Sequence, residues 1–141
     1  MTKFLTVSIF VVIASMFYVD VCNAKQNILD IPRYGVFKVA VLRNQKPVVV
    51  FFTKSSCAIC QKIWKDLESI ARANDEDMYL AKIDVEEAPE FRELLKITNI
   101  PQTQTYFKGQ LVSQVKGPNW VGIEAIVNHV LLKGQQSAKK Q

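Results

Sequence analysis

The chain has few of the residues from which metal centres and disulfide scaffolds are built. Its 141 residues include one histidine and three cysteines. A disulfide-scaffold toxin devotes about a tenth of its residues to cysteine, so that class is excluded. The chain also has no internal repeat and no low-complexity insert. Its hydrophobic fraction of 49% is too high for a disordered protein, and its length predicts one domain.

The sequence also lacks an apolar run long enough for a stable transmembrane helix. The longest run extends from Phe4 to Val19, whereas a bilayer span needs about 20 apolar residues. Lys3 precedes the run, and Cys22 and Ala24 supply small residues three and one positions before a cleavage site. This pattern is typical of a secretory signal peptide. We therefore predict a signal in residues 1–24 that is cleaved after Ala24, with an uncleaved signal anchor as the alternative.

Cleavage would leave a domain over residues 25–134 and a polar tail over residues 135–141, with no stable membrane span. The formal net charge is +5, and Lys and Arg do not form a tight cluster, so we expect no nucleic-acid partner. We expect an exported protein, in the extracellular space, the endoplasmic reticulum lumen or the periplasm. A lipoprotein anchor at Cys22 fits less well, because the residues before it are not small.

Hydrophobic spacing predicts helices that alternate with strands. Residues 25–33 are ambiguous, Tyr34–Arg43 has helical spacing, and Val48–Thr53 is a continuous apolar run typical of a buried central strand. A helix follows from Cys57 to about Ala73, with Ser56 as a candidate N-cap. We next predict a strand at Met78–Val85 and a short helix at Ala88–Lys96. A β-hairpin of Thr103–Phe107 with Leu111–Val115 follows, and the chain ends with a helix at Trp120–Leu132. This order predicts an α/β fold with a central mixed sheet of four to five strands and helices on both faces.

Two cysteines stand at the junction between the buried strand and the helix that follows it. They are Cys57 and Cys60, separated by Ala58 and Ile59. At a helix N-terminus, unpaired backbone amides and the helix dipole stabilise a thiolate. Cys60 lies one turn further on the same face, where its sulfur can reach Cys57 and close a disulfide. We therefore predict that Cys57 is the exposed attacking thiol and that Cys60 is the buried resolving thiol.

Three other interpretations of the cysteine pair remain open. As a structural crosslink it would close a short loop, which restrains the unfolded chain by only ~2 kcal/mol against ~4.7 kcal/mol for a 100-residue loop. As a zinc half-site it would need four ligands, and beyond the two cysteines only His129 is at hand, so we expect no metal. The third interpretation is a vestigial pair on a binding module. We interpret Trp64 and Trp120 as packing residues and His129 as a residue on a helix surface.

Three segments of the chain resemble the thioredoxin family. VVVFFTKSSCAICQKI, from Val48 to Ile63, resembles the strand, turn and helix of its active site. LAKIDV, from Leu80 to Val85, resembles the next strand of the family. Asn99-Ile100-Pro101-Gln102-Thr103, followed by YFKGQLV and then Lys116-Gly117, resembles its Ile-Pro-Thr segment and terminal hairpin. The resemblance covers almost all of Pro47 to Leu132.

The resemblance implies a thioredoxin fold and a thiol–disulfide oxidoreductase. Cys57 corresponds to the family's nucleophile and Cys60 to its resolving cysteine, and together they form the redox-active disulfide. The Ile100–Pro101 bond corresponds to the family's cis-proline, where the backbone of Ile100 would pair with an extended substrate. The implied partners are protein or peptide thiols and disulfides, together with a redox partner that resets the active site. No cofactor is implied beyond the Cys57–Cys60 disulfide.

The chain departs from the family at several active-site positions. Ser56 replaces the tryptophan before the nucleophile, and Phe51 replaces a buried acid that assists proton removal from the resolving thiol. Lys82 matches the lysine that pairs with that acid in the family. Because Phe51 stands in place of the acid, we expect Lys82 to be unpaired or turned outward. Gln102 separates Pro101 from Thr103. The losses at Phe51 and Ser56 support the alternative of a secreted, non-enzymatic binding or effector module with a weakly active or vestigial cysteine pair.

Overall fold

A five-stranded mixed sheet organises residues 26–141, the part of the chain that the computed structural model describes. The strands β1 to β5 span Ile28–Asp30, Val48–Thr53, Tyr79–Asp84, Gln102–Phe107 and Gln110–Lys116. Their order across the sheet is β1-β3-β2-β4-β5. The predicted fold class is confirmed. The predicted signal in residues 1–24, and Cys22 with it, lies outside the described residues.

In the described part of the chain, four helices flank this sheet. The helices α1 to α4 span Tyr34–Phe37, Ala58–Ala73, Glu90–Leu94 and Trp120–Ala138. The first continues as a π-helical turn over Lys38–Leu42, so the predicted helix from Tyr34 is present in two forms. Within residues 26–141, none of the helices is long and apolar enough to cross a membrane.

Strand β2 is central because its side chains can be buried on both faces of the sheet. Val48 to Phe52 are all 0% exposed, and such β-branched and aromatic residues pack well on a pleated surface. Strand β2 pairs in parallel with β3 and antiparallel with β4. The predicted central strand is therefore confirmed, and it carries the chain directly into the turn before Cys57.

The two faces of the sheet bury different clusters. The first, called here the aromatic face, packs Val50 and Phe52 of β2 against α1 and α3, and its members include Phe37, Phe91 and Tyr106. The second, called here the cysteine face, packs Val49 and Phe51 of β2 against α2 and α4, and its members include Cys60, Ile63, Leu67, Ile123 and Val127. The alternation along β2 follows the two-residue period of a strand. Cys60 is thus a core residue of one face only.

The ambiguous segment before Tyr34 contains strand β1. Ile28, Leu29 and Asp30 pair in parallel with β3. The buried Asn27 side chain donates to the carbonyl oxygens of Ala71, at 2.7 Å, and Met78, at 3.3 Å. These bonds fix the edge strand to the end of α2 and the start of β3.

The closing helix is longer than the sequence predicts. The expected end at Leu132 is wrong, because α4 continues to Ala138. Gly134 lies so close to the ring of Pro47 that a β-carbon there would collide with it. Lys108 Nζ donates to Ser137 Oγ at 3.1 Å. These contacts hold the first part of the predicted polar tail, up to Ala138, in helical form.

The predicted hairpin between β4 and β5 is confirmed. Lys108 and Gly109 connect the strands with φ angles of 49° and 78°, which is the left-handed geometry of a two-residue hairpin turn. A β-carbon on Gly109 would run into the backbone of Leu42. Glycine is therefore required there both by the turn and by the close approach of the π-helical turn.

Candidate active site

The turn after β2 places Cys57 at the N-terminus of α2. The Cys57 amide donates to the carbonyl of Lys54 at 3.1 Å, which reverses the chain as it leaves the strand. Cys57 has extended backbone angles and is itself the N-cap, because its sulfur accepts from the amide of Cys60 at 3.2 Å. The prediction that Ser56 caps the helix is wrong. The sulfur of Cys57 therefore faces the unpaired amides that stabilise a thiolate.

Cys57 and Cys60 form a disulfide, and the two sulfurs differ in access. Their α-carbons are 5.3 Å apart, within the usual range for a disulfide. Cys57 is half-buried whereas Cys60 is 0% exposed, and the intervening Ala58 and Ile59 are exposed. A partner molecule can therefore reach Cys57 first. The roles of attacking and resolving thiol require this difference.

The Ile100–Pro101 peptide bond is cis, as the resemblance implies. Pro101 is buried, and its carbonyl oxygen accepts from the amide of Gly117 at 2.8 Å. Ile100 is half-buried and packs against both core clusters, and Cys57 packs against the cysteine face as well. Ile100 and Cys57 therefore border the same cluster. The pairing of the Ile100 backbone with a substrate remains a prediction.

An aromatic stack occupies the position of the family's buried acid. Phe51 is 0% exposed and stacks on Trp64, with ring centroids 6.1 Å apart. Lys82 Nζ lies 5.0 Å from the centroid of the Trp64 ring and 3.5 Å from Asp30 Oδ1. Lys82 is therefore not unpaired, and its partly exposed side chain reaches a carboxylate at the surface. Its ammonium group contacts an aromatic ring and an exposed carboxylate, in place of a buried acid.

A cavity of about 360 Å³ opens beside Cys60. Its lining includes the side chains of Lys54, Lys65 and Lys82, and one carboxylate, that of Asp84. Asp84 Oδ1 accepts from the amides of Glu86 and Glu87, at 2.8 and 3.3 Å, so it is engaged by its own loop. The Cys60 side of the disulfide therefore borders a positively charged opening. Lys54 and Lys65 could not be recognised as site residues from the sequence, because neither lies in the cysteine motif.

Two buried polar side chains near the cis-proline are incompletely hydrogen-bonded. Gln102 and Thr103 are 1% and 0% exposed, and Gln102 Oε1 and Thr103 Oγ1 have no hydrogen-bond partner among the described residues. The sequence predicts Thr103 as the start of a strand and Gln102 as an insertion before it. Burial of both positions could not be inferred from their polar side chains.

The other residues considered from the sequence lie apart from the disulfide or in the core. His129 is exposed on α4, as predicted, and Trp64 and Trp120 pack against the cysteine face. Within residues 26–141, no group of three or more His, Cys, Asp or Glu side chains is arranged to hold a metal ion.

Comparisons with known proteins point to one family. Residues 32–129 match the family model described as thioredoxin. The chain is 33% identical over 81 residues to the thioredoxin of Mycobacterium bovis, which covers 57% of this chain and 70% of that protein. It is 30% identical over 92 residues to the thioredoxin of Ictalurus punctatus. That match covers 63% of this chain and 86% of the Ictalurus protein.

Solved structures show the same fold. The thioredoxin of Malassezia sympodialis superposes with a TM-score of 0.67 at 23% identity, over 75% of this chain and 92% of that one. The mitochondrial thioredoxin 3 of Saccharomyces cerevisiae gives a TM-score of 0.66 at 22% identity, over 72% of this chain and 94% of that one.

Proposed function

The chain belongs to the thioredoxin family and is a thiol–disulfide oxidoreductase with a Cys57–Cys60 disulfide, and we propose that it exchanges disulfides with exported proteins or peptides outside the cytoplasm. The observation that carries the proposed disulfide exchange is the disulfide at the N-terminus of α2, with one accessible and one buried cysteine. The cis Ile100–Pro101 bond supports it. The alternative of a binding module would leave both thiols without a use.

The reaction is a transfer of two electrons between dithiol and disulfide. When the protein reduces a substrate, the Cys57 thiolate attacks one sulfur of the substrate disulfide and releases the other as a thiolate. The Cys60 thiol then loses its proton and attacks Cys57, which closes the Cys57–Cys60 bond and releases the second substrate thiolate. Each released thiolate takes a proton from water or from Cys60. The reverse sequence oxidises a substrate.

The N-terminus of α2 favours the first of these steps. In the disulfide form the sulfur of Cys57 already accepts from the amide of Cys60. The same amide would stabilise the negative charge of a Cys57 thiolate, and the helix dipole adds to this effect. Ile100 is proposed to hold the substrate by its backbone, beside the buried Pro101. A separate redox partner, of the kind that thioredoxins require, would return the disulfide to its starting state.

The location outside the cytoplasm is supported by residues 1–24, whose pattern is that of a secretory signal. The test is to express the full chain in a secretion-competent cell and determine the N-terminus of the exported protein. We expect an N-terminus at Lys25. A chain that stays inside the cell with residues 1–24 attached would contradict the proposed location, without bearing on the redox chemistry.

The redox activity is tested by the reduction of insulin with dithiothreitol, followed by turbidity. We expect the wild-type protein to accelerate precipitation and the Cys57→Ser variant to give the rate of dithiothreitol alone. Ser56→Ala is the matched control, because Ser56 is exposed and does not cap the helix. A wild-type rate no faster than that of Cys57→Ser would refute the proposed activity.

A further inference from the structure

Thr103 buries a hydroxyl group whose hydrogen-bonding capacity is unused. The side chain is 0% exposed, and Oγ1 has no partner among the described residues. A hydroxyl can both donate and accept, and burying one without a partner costs free energy. The neighbouring Gln102 differs, because its amide nitrogen donates to Gln114 Oε1 at 3.1 Å. Thr103 is therefore the buried polar side chain of β4 that most needs a partner.

The position of Thr103 brings this hydroxyl to the Cys60 end of the cysteine face. Thr103 is directly opposite Phe51 in the pairing of β4 with β2, and opposite residues of a strand pair project to the same face. Phe51 stacks on Trp64, and Cys60 lies one turn before Trp64 on α2. Cys60 and Phe51 belong to the same buried cluster.

Cys60 is the buried group on this face whose hydrogen-bonding needs change during the reaction. In the disulfide its sulfur carries no proton and no charge, so it requires no donor. After reduction it becomes a thiol, and before it attacks Cys57 it must become a thiolate. A buried thiolate needs a hydrogen-bond donor, because burial raises the pKa of a thiol.

The polar side chains around Cys60 are either engaged or at the open side of the cavity, where Lys54 and Lys65 lie. Lys82 contacts the Trp64 ring and Asp30, and Asp84 accepts two amides of its own loop. Phe51, at the position of the family's acid, has no polar group. Thr105, the next cysteine-face residue of β4, donates to the carbonyl of Ser113 at 3.4 Å. Among the described residues, Thr103 is thus the buried hydroxyl on this face that has no partner.

We propose that Thr103 is a positioning residue for the resolving step: its hydroxyl is unpaired in the disulfide form and donates a hydrogen bond to the Cys60 thiolate after reduction. The inference rests on the proposed function, in which Cys60 resolves the mixed disulfide. Thr103 takes up no proton in this step. It lowers the free energy of the thiolate that attacks Cys57, and the proton of Cys60 leaves with the first substrate thiolate or with water.

The test compares Thr103→Val with Thr103→Ser and Thr105→Val. Valine has the shape of threonine without its hydroxyl, serine restores the hydroxyl, and Thr105→Val removes a hydroxyl that already has a partner. Because Thr103→Val breaks no bond in the disulfide form, we expect it to fold with a denaturation midpoint at or above that of the wild type. The first readout is the titration of the Cys60 β-carbon by NMR in the reduced protein. We expect Thr103→Val to raise the pKa of Cys60 by about one unit.

Two further readouts separate this role from a structural one. In glutathione redox buffers at a pH above the pKa of Cys60, where the reduced protein carries the thiolate, Thr103→Val should shift the dithiol–disulfide equilibrium about tenfold toward the disulfide, because only the reduced form loses a bond. From a preformed mixed disulfide between Cys57 and thionitrobenzoate, Cys60 should release the dye about tenfold more slowly. Thr103→Ser and Thr105→Val should stay within about twofold of the wild type in both assays.

The inference is overturned if Thr103→Val titrates and resolves like the wild type, or if Thr105→Val shows the same changes. The first outcome would indicate that another group, such as a bound water, stabilises the Cys60 thiolate. None of these readouts uses a protein substrate. A wild-type protein that fails to reduce insulin would therefore refute the proposed function while leaving the titration of Cys60 readable.

Discussion

The aromatic face and the cysteine face are built on the same sheet but bury different kinds of groups. On the aromatic face, Phe37 contacts Phe91 and Tyr106 edge to face at 5.7 and 5.6 Å, and the Tyr106 hydroxyl donates to Gln104. On the cysteine face, the core ends at a covalent bond that breaks and re-forms, and Thr103 is left without a partner. Both faces bury an apolar cluster, but the cysteine face must also accommodate two chemical states of the same pair of residues.

The comparison is tested most strongly by Phe37→Ala on the aromatic face. Phe37 is 0% exposed and contacts three aromatic rings, so its truncation should lower the free energy of unfolding by about 3–5 kcal/mol. The disulfide exchange of the folded fraction should be unchanged. Denaturant titration gives the first quantity and reaction of the reduced protein with a small disulfide gives the second.

The matched control is Val39→Ala in the π-helical turn that follows α1. Val39 is 60% exposed, so we expect a change within about 0.5 kcal/mol. If Phe37→Ala altered the reactivity of Cys57 in folded protein, the two faces would be coupled and the contrast between them would be incorrect.

The alkaline limit of stability should come from the aromatic face. Burial, with a contribution from Tyr34, raises the pKa of Tyr106 from 10.0 to about 12. Between these values the unfolded chain has released the phenol proton and the folded chain retains it, so stability falls as pH rises through this range. The loss attributable to Tyr106 should approach 2–3 kcal/mol near pH 12, by the rule of about 1.4 kcal/mol per unit.

The measurement is denaturant unfolding from pH 9 to 12, compared with Tyr106→Phe. We expect the variant to be less stable at neutral pH, because the bond to Gln104 is lost, and to show a shallower decline above pH 10. Parallel declines in both proteins would show that Tyr106 does not set the alkaline limit.

The smallest expected effect concerns the ion pair of Lys82. Asp30 is 82% exposed at its side chain and lies 3.5 Å from Lys82 Nζ, so Asp30→Asn should cost no more than about 0.5 kcal/mol. Trp64→Leu should cost more, because it removes the ring under the ammonium group and the stack on Phe51. Thermal unfolding of both variants checks the order. A larger loss in Asp30→Asn would show that the carboxylate, and not the ring, holds Lys82.

Helices, strands and turns are predicted correctly from the sequence where the local hydrophobic pattern agrees with the burial of the segment. The strand Val48–Thr53, the amphipathic helix after Cys57 and the hairpin at Gly109 each combine a strong hydrophobic period with suitable turn residues, and all are present. The cysteine pair was identified for the same reason, since its position depends on that strand and helix. The cis bond at Pro101 was predicted from the family resemblance and not from the residues alone.

The failures involve contacts between segments far apart in the chain. Strand β1 has three residues and no usable period, and it is held by pairing with β3 and by Asn27. The last turns of α4 depend on Pro47, which is distant in sequence. Lys82 was expected to be unpaired or turned outward because Phe51 replaces the family's acid. Its partners, Trp64 and Asp30, are brought to it only by the fold. The free hydroxyl of Thr103 is likewise visible only once β4 is known to be buried.

The central claim, that Cys57 attacks and Cys60 resolves, is tested most directly by trapping the mixed disulfide. The Cys60→Ser variant is mixed with a peptide that contains one disulfide, and the product is analysed by mass spectrometry. The account predicts a stable adduct on Cys57 that dithiothreitol releases, and no adduct when Cys57→Ser is treated in the same way. An adduct on Cys60 in the Cys57→Ser variant, formed as fast as the adduct on Cys57, would contradict it.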